Sequence, residues 1–508
     1  MNEKHVAIIG GGVAGLTAAY FLHGRTNAGG DTVFRCTVFD KSERLGGNCF
    51  SAYLGQTPYE PPFGDLGVND FNTDRYHLFM AVLRQLESDG YPVPHAPLID
   101  TTTWYTPRGV TQGARTYTEQ QMAHWEQHPE MPWLEPIAKD WDRFQDVAFD
   151  VLNDPKYANM SVDEFIRDQG YSEDFAEYNL RARINGMYYM NDRSPGAMPI
   201  RAVMSYYHLQ EGLGDRKKTV TLRAAAAKND SSSPRHYFVG GASQWIEQLV
   251  RCLTDRGVEL RLGDSPTAWL DPSRGWRVLS KATPSGGRES FDHVISAVYA
   301  DVVSQVVALG LPPLMSTMLA QFRYFDSMSI VHEDDAMLPI DPAAWSTYNI
   351  LVYPPGTRSL RPYTITYVEQ KHQGHDTNAP PYLTLTPFGA IQESGIPEMI
   401  DLPSADRVKA VTYLRHNTLT LDAMAAQRLL PSLQGQNNLW FTGGWTNGAG
   451  LHEEILAQSR EIALRIRNIF VLGEHGASYR DDDPTYVPKH IRDSFESAPE
   501  VLPAGFWS

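Results

Sequence analysis

Cysteine is scarce in this chain: Cys36, Cys49 and Cys252 are the only three among 508 residues. They are too few and too scattered for a disulfide framework or a zinc site, and Cys36, on an expected core strand, is read as an inert thiol. No long uninterrupted apolar run occurs, which excludes a membrane-spanning helix. Positive charge is in deficit, with 44 Lys and Arg against 60 Asp and Glu, a net charge of −16. That balance disfavours nucleic acid and anionic membrane surfaces as partners, while saying little about the field inside a pocket. A glycine motif that starts at Gly10 leaves no room for a signal or transit peptide, so the expected location is cytoplasmic. On the same ground Asn159-Met160-Ser161 and Asn229-Asp230-Ser231 are read as chance glycosylation matches. Internal repeats, heptads and extended low-complexity tracts are missing too.

What is present is the composition of a globular protein, 42% hydrophobic and 20% charged, over a length that implies two intimately packed domains. The run Val6-Ala7-Ile8-Ile9 reads as a buried strand feeding Gly10-Gly11-Gly12-Val13-Ala14-Gly15, which opens a helix from Leu16 to Leu22. In such a G-x-G-x-x-G turn Gly10 permits the tight bend and Gly12 admits a pyrophosphate to the backbone. Gly15 lets helix and strand pack closely, and the helix N-terminus offers N–H groups to the phosphates. A second strand, Arg35-Cys36-Thr37-Val38-Phe39-Asp40, ends in an acid at the spacing a ribose hydroxyl contact requires.

Farther along, Arg44-Leu45-Gly46-Gly47-Asn48 is a loop, and Pro58 to Gly67 is loop and bulged strand. Tyr76 to Leu86 has helical spacing, as does Tyr117 to about Ile184, with an aromatic stripe that includes Trp125, Trp141, Phe144 and Phe165. Ala224 to Arg235 is the best internal loop. A helix from Gln244 to Leu253 follows, then a strand from Val258 to Leu262 and an alternating strand pair, Trp276 to Leu279 with His293 to Val298. Strands are expected at Met328–His332, Tyr348–Tyr353, Tyr363–Val368 and Tyr382–Leu385, and a last one at Asn438–Thr442 leads through Gly443-Gly444 to a helix, Glu453 to Ile469. Nucleotide-binding pieces are therefore expected at residues 1–85, 235–304 and 426–472. Substrate-domain pieces follow at 86–234, largely helical, and 305–425, rich in strand, with a peripheral tail at 473–508.

These residues resemble the flavin-containing amine oxidase superfamily, which groups monoamine and polyamine oxidases, phytoene desaturases and protoporphyrinogen oxidase. The Gly10–Gly15 turn with Asp40, the Arg44–Gly47 loop, His293-Val294-Ile295-Ser296-Ala297 and Leu439–Gly444 with its helix carry the likeness. Gly240–Trp245, Trp345–Asn349, Gln427–Gly435 and Gly450–Glu453 look like an uncharacterised branch of predicted NAD/FAD-binding proteins. The resemblance implies an α/β fold, with a discontinuous Rossmann-like FAD-binding domain and an α+β substrate domain of helices and a mostly antiparallel sheet. It implies FAD, held non-covalently because no cysteine follows Cys252 to link it.

The expected cofactor contacts are Gly10, Gly12, Val13, Ala14, Gly15, Asp40, Lys41, Arg44, Gly46, Gly47, Asn48, Gly67, Val68, Gly443, Gly444 and His452. Arg44 suits a diphosphate clamp, and the closing helix can aim its N-terminus at the flavin N1/O2 edge. Four residues are catalytic candidates. Gln305 aligns with the lysine that holds a water near flavin N5 in the amine oxidases, with no lysine nearby to replace it. Trp445 suits an aromatic flank for an amine. His452 could position substrate or move a proton, and Glu453 stands beside it, although first-turn acids also simply complement a helix dipole. No H-E-x-x-H pairing supports a metal.

Tyr188, Tyr189, Tyr206, Tyr207, His208, Tyr348, Tyr353, Tyr367 and Trp104-Tyr105 are candidates for lining an elongated apolar cavity. Arg183, Arg201 or Arg358 could anchor a carboxylate. The expected activity is hydride removal from a C–H bond of a small, mostly apolar molecule, with oxygen or another acceptor taking the electrons. Flavin-dependent double-bond isomerisation, amine oxidation and non-enzymatic electron carriage are the alternatives.

Overall fold

The computed structural model describes residues 1–55, 59–107, 110, 113–188, 195–214, 234–281, 287–354, 363–387 and 403–468. The expected tail at 473–508, the loop residues 224–233, Tyr189, Arg358 and the Asn229 sequon lie outside them.

Val6, Ala7, Ile8 and Ile9 are all buried because their strand, Asn2–Ile9, is the middle of a five-stranded sheet. Its order is Glu259–Arg261, Thr32–Phe39, Asn2–Ile9, His293–Ser296, Leu439–Phe441, and every neighbouring pair is parallel. A parallel sheet is covered on both faces, which is why its strands read as continuous apolar runs. Val6 and Ile8 pack under the helices Val13–Leu22, Ala242–Asp255 and His452–Ile466, with Trp245, Leu456 and Ile462 in that core. Ala7 and Ile9 face the opposite layer, with Trp276, Val303, Met315 and Leu430.

The expected pairing of Trp276–Leu279 with His293–Val298 does not occur. Gly275–Leu279 pairs with Thr267–Asp271 and Arg288–Phe291 in a separate sheet, while His293–Ser296, buried throughout, inserts beside Asn2–Ile9.

A seven-stranded sheet runs Val408–Thr418, Arg323–His332, Tyr382–Pro387, Tyr363–Val368, Tyr348–Val352, Thr102–Tyr105, Thr116–Thr118. All its pairings are antiparallel except that of Tyr348–Val352 with Thr102–Tyr105. The helices Leu134–Asp146, Arg181–Tyr188 and Ile200–Glu211 share its largest core. Two of these strands depart from the sequence reading. Thr116–Thr118 is strand where helix is expected to begin, and the 11-residue strand Val408–Thr418 has no counterpart in it. The latter is an edge strand whose Val411 and Tyr413 are 45% and 64% exposed, so its apolar pattern is diluted by solvent-facing side chains. A small sheet of Asp70–Asn72, Arg235–Phe238 and His95–Pro97 carries Asp70 and Arg235.

Candidate functional site

A cavity of about 670 Å³ runs from the glycine loops at the C-terminal edge of the parallel sheet to the helices and strands of the second layer. Its floor is bare backbone. A Cβ on Gly47 would reach 3.4 Å from the Cα of Gly12, so two glycine loops lie side by side, tied by the Gly46 N–H donating to the Gly11 carbonyl at 2.8 Å. Gly15 lies beneath the cavity rather than in its lining, where a Cβ would stand 1.9 Å from the Gly10 carbonyl oxygen. This close packing is the role the motif assigns to its third glycine. The helix Val13–Leu22 starts at Gly12 with no side-chain cap, leaving first-turn amides and the positive end of its dipole at the cavity.

Asp40 lines the cavity and organises both loops. Its Oδ2 accepts from the Gly11 N–H at 2.6 Å and its Oδ1 from the Ser42 N–H at 2.7 Å. A carboxylate has further acceptor directions, so these bonds leave room for a hydroxyl. Lys41 and Arg44 line the same wall. Arg44 donates to the Gly47 carbonyl at 2.7 Å and lies 4.1 Å over the Phe50 ring, which locks the second loop. Asn48, Gly67 and Val68 line the cavity together, with the Val68 N–H bonded to the Asn48 carbonyl at 3.2 Å. Cys49 reaches the lining too, but its Sγ is buried and bonded to the Ala242 carbonyl at 3.6 Å, and burial pushes the thiol well above its usual range.

Gly443, Gly444, Gly450, Leu451 and His452 close the cavity from the other end of the chain. Ser459 of the last helix donates to the Ala14 carbonyl at 3.1 Å, tying it to the first. His452 begins that helix, buried beside Phe79 and Trp245 at ring distances of 5.3 and 6.3 Å. Its Nε2 has no hydrogen-bond partner among the described residues, and burial pushes its pKa down to about 4, so the imidazole is neutral.

Of the remaining catalytic candidates, Trp445 borders the cavity, and Glu453 and Gln305 stand outside it. Trp445 is 2% exposed, its indole donates to the Val298 carbonyl at 2.9 Å, and Phe322 packs on it at 4.9 Å. The ring borders the cavity as a packed wall, not as an open flank. Glu453 accepts from the Leu78 and Phe79 N–H groups, both at 2.9 Å, and so caps the helix His77–Ser88 outside the cavity lining. Gln305 is exposed and donates only to the Asp301 carbonyl at 3.4 Å, likewise outside the lining.

One wall of this mainly apolar cavity is charged. Arg183 is 7% exposed between Trp104 and Trp141, at 4.8 and 4.5 Å from their rings, and bonds Glu119 at 2.7 Å and Glu211 at 3.2 Å. Arg235 bonds Asp70 at 2.7 Å, Asp100 at 3.2 Å and the Tyr348 hydroxyl at 3.0 Å. Burial opposes ionisation of Asp70, yet Arg235 and His372 hold it well below the usual carboxylate range. Burial, only partly offset by Arg183 and reinforced by Asp100 and Glu119, pushes Glu211 up to about 7.

His416 and Asn417 of the unanticipated edge strand also line the cavity. Ser327 Oγ lies 2.9 Å from His416 Nδ1, and neither amide atom of Asn417 has a partner among the described residues. Tyr188, Tyr206, Tyr348 and Tyr367 line it as anticipated, whereas Trp104, Tyr105, Tyr207, His208 and Tyr353 do not. Of the anchoring arginines, Arg201 instead donates to the Val151 and Asp154 carbonyls. Asp70, Asp100, Glu119, Glu211 and Arg235 carry no local motif; only their shared cavity groups them.

A family model described as an NAD(P)-binding Rossmann-like domain matches residues 8–86. No curated protein matches the chain. Among solved structures, a putative protoporphyrinogen oxidase from Exiguobacterium sp. 255-15 is 14% identical with a TM-score of 0.56, covering 92% of this chain and 99% of that one. A CLA-producing fatty acid isomerase from P. acnes is 13% identical with a TM-score of 0.59, covering 91% and 98%. Putrescine oxidase bound to putrescine is 13% identical with a TM-score of 0.58, covering 91% and 99%. The chain shares the fold of these proteins over about nine-tenths of its length.

Proposed function

From that shared fold we propose an FAD-dependent oxidoreductase that removes a hydride from a C–H bond of a small organic molecule. The observation that carries it is the convergence of the Gly10–Ala14 turn, the Gly46–Asn48 loop, Gly67-Val68 and Gly443–His452 on one cavity with a backbone floor and an uncapped helix N-terminus. Those residues fit a dinucleotide of this kind. The first helix and Arg44 would hold its diphosphate, Asp40 a ribose hydroxyl, and the start of the last helix the polar edge of its ring. The bonded, protonated Cys49 thiol supports non-covalent binding. Bound FAD supplies a two-electron acceptor, which oxygen or another oxidant returns to its starting state.

The chain's own residues orient and shield. Trp445 closes one wall to water, and neutral His452 offers an unengaged Nε2. With a pKa near 4 the imidazole serves as a hydrogen-bonding group that positions substrate rather than as a proton store.

The test begins with the purified protein. It should be yellow or take up FAD stoichiometrically, and release it on denaturation. Anaerobic addition of a true substrate should bleach the flavin absorbance, whereas a double-bond isomerase would turn over without lasting bleaching. Protein that neither carries nor takes up FAD ends the proposal.

A further inference from the structure

Apart from the ion pairs, four uncharged polar side chains line the same cavity: Asn69, Tyr76, Gln210 and His452. They are buried, at 6%, 1%, 4% and 5% exposure, yet three of them carry a buried polar atom with no partner among the described residues. These atoms are Asn69 Nδ2, Gln210 Oε1 and His452 Nε2. Gln210 Nε2 donates to the Tyr76 hydroxyl at 2.8 Å, which leaves that hydroxyl its own proton to give. Buried polar groups are ordinarily bonded, so a cluster of orphans on a cavity wall points to a ligand that supplies the partners.

Packing sets the four on one side of the cavity. Asn72 Nδ2 donates to the Gln210 carbonyl at 2.7 Å, which ties the strand that follows Asn69 to the end of the helix Ile200–Glu211. The Tyr76 ring lies 6.2 Å from Phe79, and Phe79 lies 5.3 Å from His452. Burial holds the Tyr76 phenol well above its usual range and pushes His452 down to about 4, so both stay neutral. The cluster therefore offers two donors, Asn69 Nδ2 and the Tyr76 hydroxyl, and one acceptor, Gln210 Oε1, with a neutral imidazole beside them. A cation would face two donors, and an anion would face an acceptor oxygen. A hydroxyl, with one proton and two lone pairs, answers all three.

We propose that this cluster is a subsite for an uncharged hydroxyl group of the substrate, which donates to Gln210 Oε1 and accepts from the Tyr76 hydroxyl and Asn69 Nδ2. The apolar lining of Met187, Leu213, Ile350 and Ile365 suits the hydrocarbon body that carries such a group. The inference deepens the oxidoreductase reading and rests on it for the reaction itself. It gives a mostly apolar substrate its polar handle.

Four probes built on one ring, cyclohexanol, cyclohexyl methyl ether, cyclohexylamine and cyclohexanecarboxylate, decide it. They are titrated by ligand-observed NMR into the full chain loaded with FAD, and again into the FAD-free chain. Cyclohexanol should bind at least about tenfold tighter than the ether, which has no proton to donate, and tighter than either ion. Gln210→Met should bring the alcohol down to the level of the ether and leave the ether unchanged, whereas Tyr76→Phe, which removes a donor, should loosen both. Equal binding of alcohol and ether, a preference for either ion, or a Gln210→Met variant that binds the alcohol as before would overturn the subsite. Variants that lose FAD yet keep the preference for the alcohol would overturn it too, because the cluster then serves the cofactor. A chain that takes up FAD without any alcohol preference loses this inference alone. A chain that refuses FAD loses the oxidoreductase reading, while titration of that same chain still decides the subsite.

Discussion

Glu453 and Glu454 are adjacent yet serve two different helices. Glu453 caps the start of His77–Ser88, and Glu454 accepts from the Leu451 N–H at 3.0 Å at the start of its own helix. Burial pushes both carboxyls up from 4.5 to about 7. A folded-state pKa above the unfolded one means the native state binds the proton more tightly. Stability is therefore expected to fall as pH rises from about 4.5 through about 7, and Glu453→Gln should flatten that slope in urea unfolding midpoints measured across the window.

Glu211 follows the same sign. Facing Arg183, Glu119, Asp100, Arg235 and Tyr207, its carboxyl is pushed up to about 7 by burial, so Glu211→Gln should likewise flatten the loss of stability as pH rises through that value. Arg183→Met leaves the partly buried Glu119 and Glu211 facing each other without their cation, which should cost about 1–3 kcal/mol of stability in thermal or urea melts.

At the scale of elements, the strand–turn–helix units were legible because their chemistry is local. A buried run, glycines at fixed spacing and a terminal acid lie within Val6–Asp40, and the fold uses them as read. Gly15→Ala should show how tight that reading is. The added carbon collides with the Gly10 carbonyl, so the variant should lose FAD retention and about 3 kcal/mol of stability, the upper end of the usual cost of overpacking.

The second layer was less legible for physical reasons. Val408–Thr418 owes its strand character to Arg323–His332, far back along the chain, while the three-residue Thr116–Thr118 pairs with nearby Thr102–Tyr105 and is too short to show a period; both are edge strands, with solvent on one side. Glu453 reads as an ordinary first-turn acid, since its partners, Leu78 and Phe79, lie 375 and 374 residues away. The acids of the charged wall come from the small sheet, a loop and two helices, so no spacing rule could have grouped them. Gln305 misled because alignment places a residue on a chain, not on a surface.

For the whole molecule, the cavity is built from segments that begin at Ile9 and end at Ile455. The segment covered by the Rossmann-like match, residues 8–86, holds the glycine turns but not the His293–Ser296 and Leu439–Phe441 strands, nor the helix that follows them. Expressed alone it should fail to retain FAD in gel filtration, whereas the full chain should retain it.

The order of that central sheet also bears on how the chain is made. Asn2–Ile9 is synthesised first, yet its neighbour His293–Ser296 emerges only past the middle of the chain, and Leu439–Phe441 later still. The first helix waits equally long for His452–Ile466, whose Ser459 grips Ala14 and whose Glu453 completes a helix begun at His77. The core around Val6, Ile8 and Leu16 therefore reaches its full packing only once Ile295, Leu456 and Ile462, far along the chain, have joined it, which is the long-range order of assembly that leaves apolar surface open while a large chain folds.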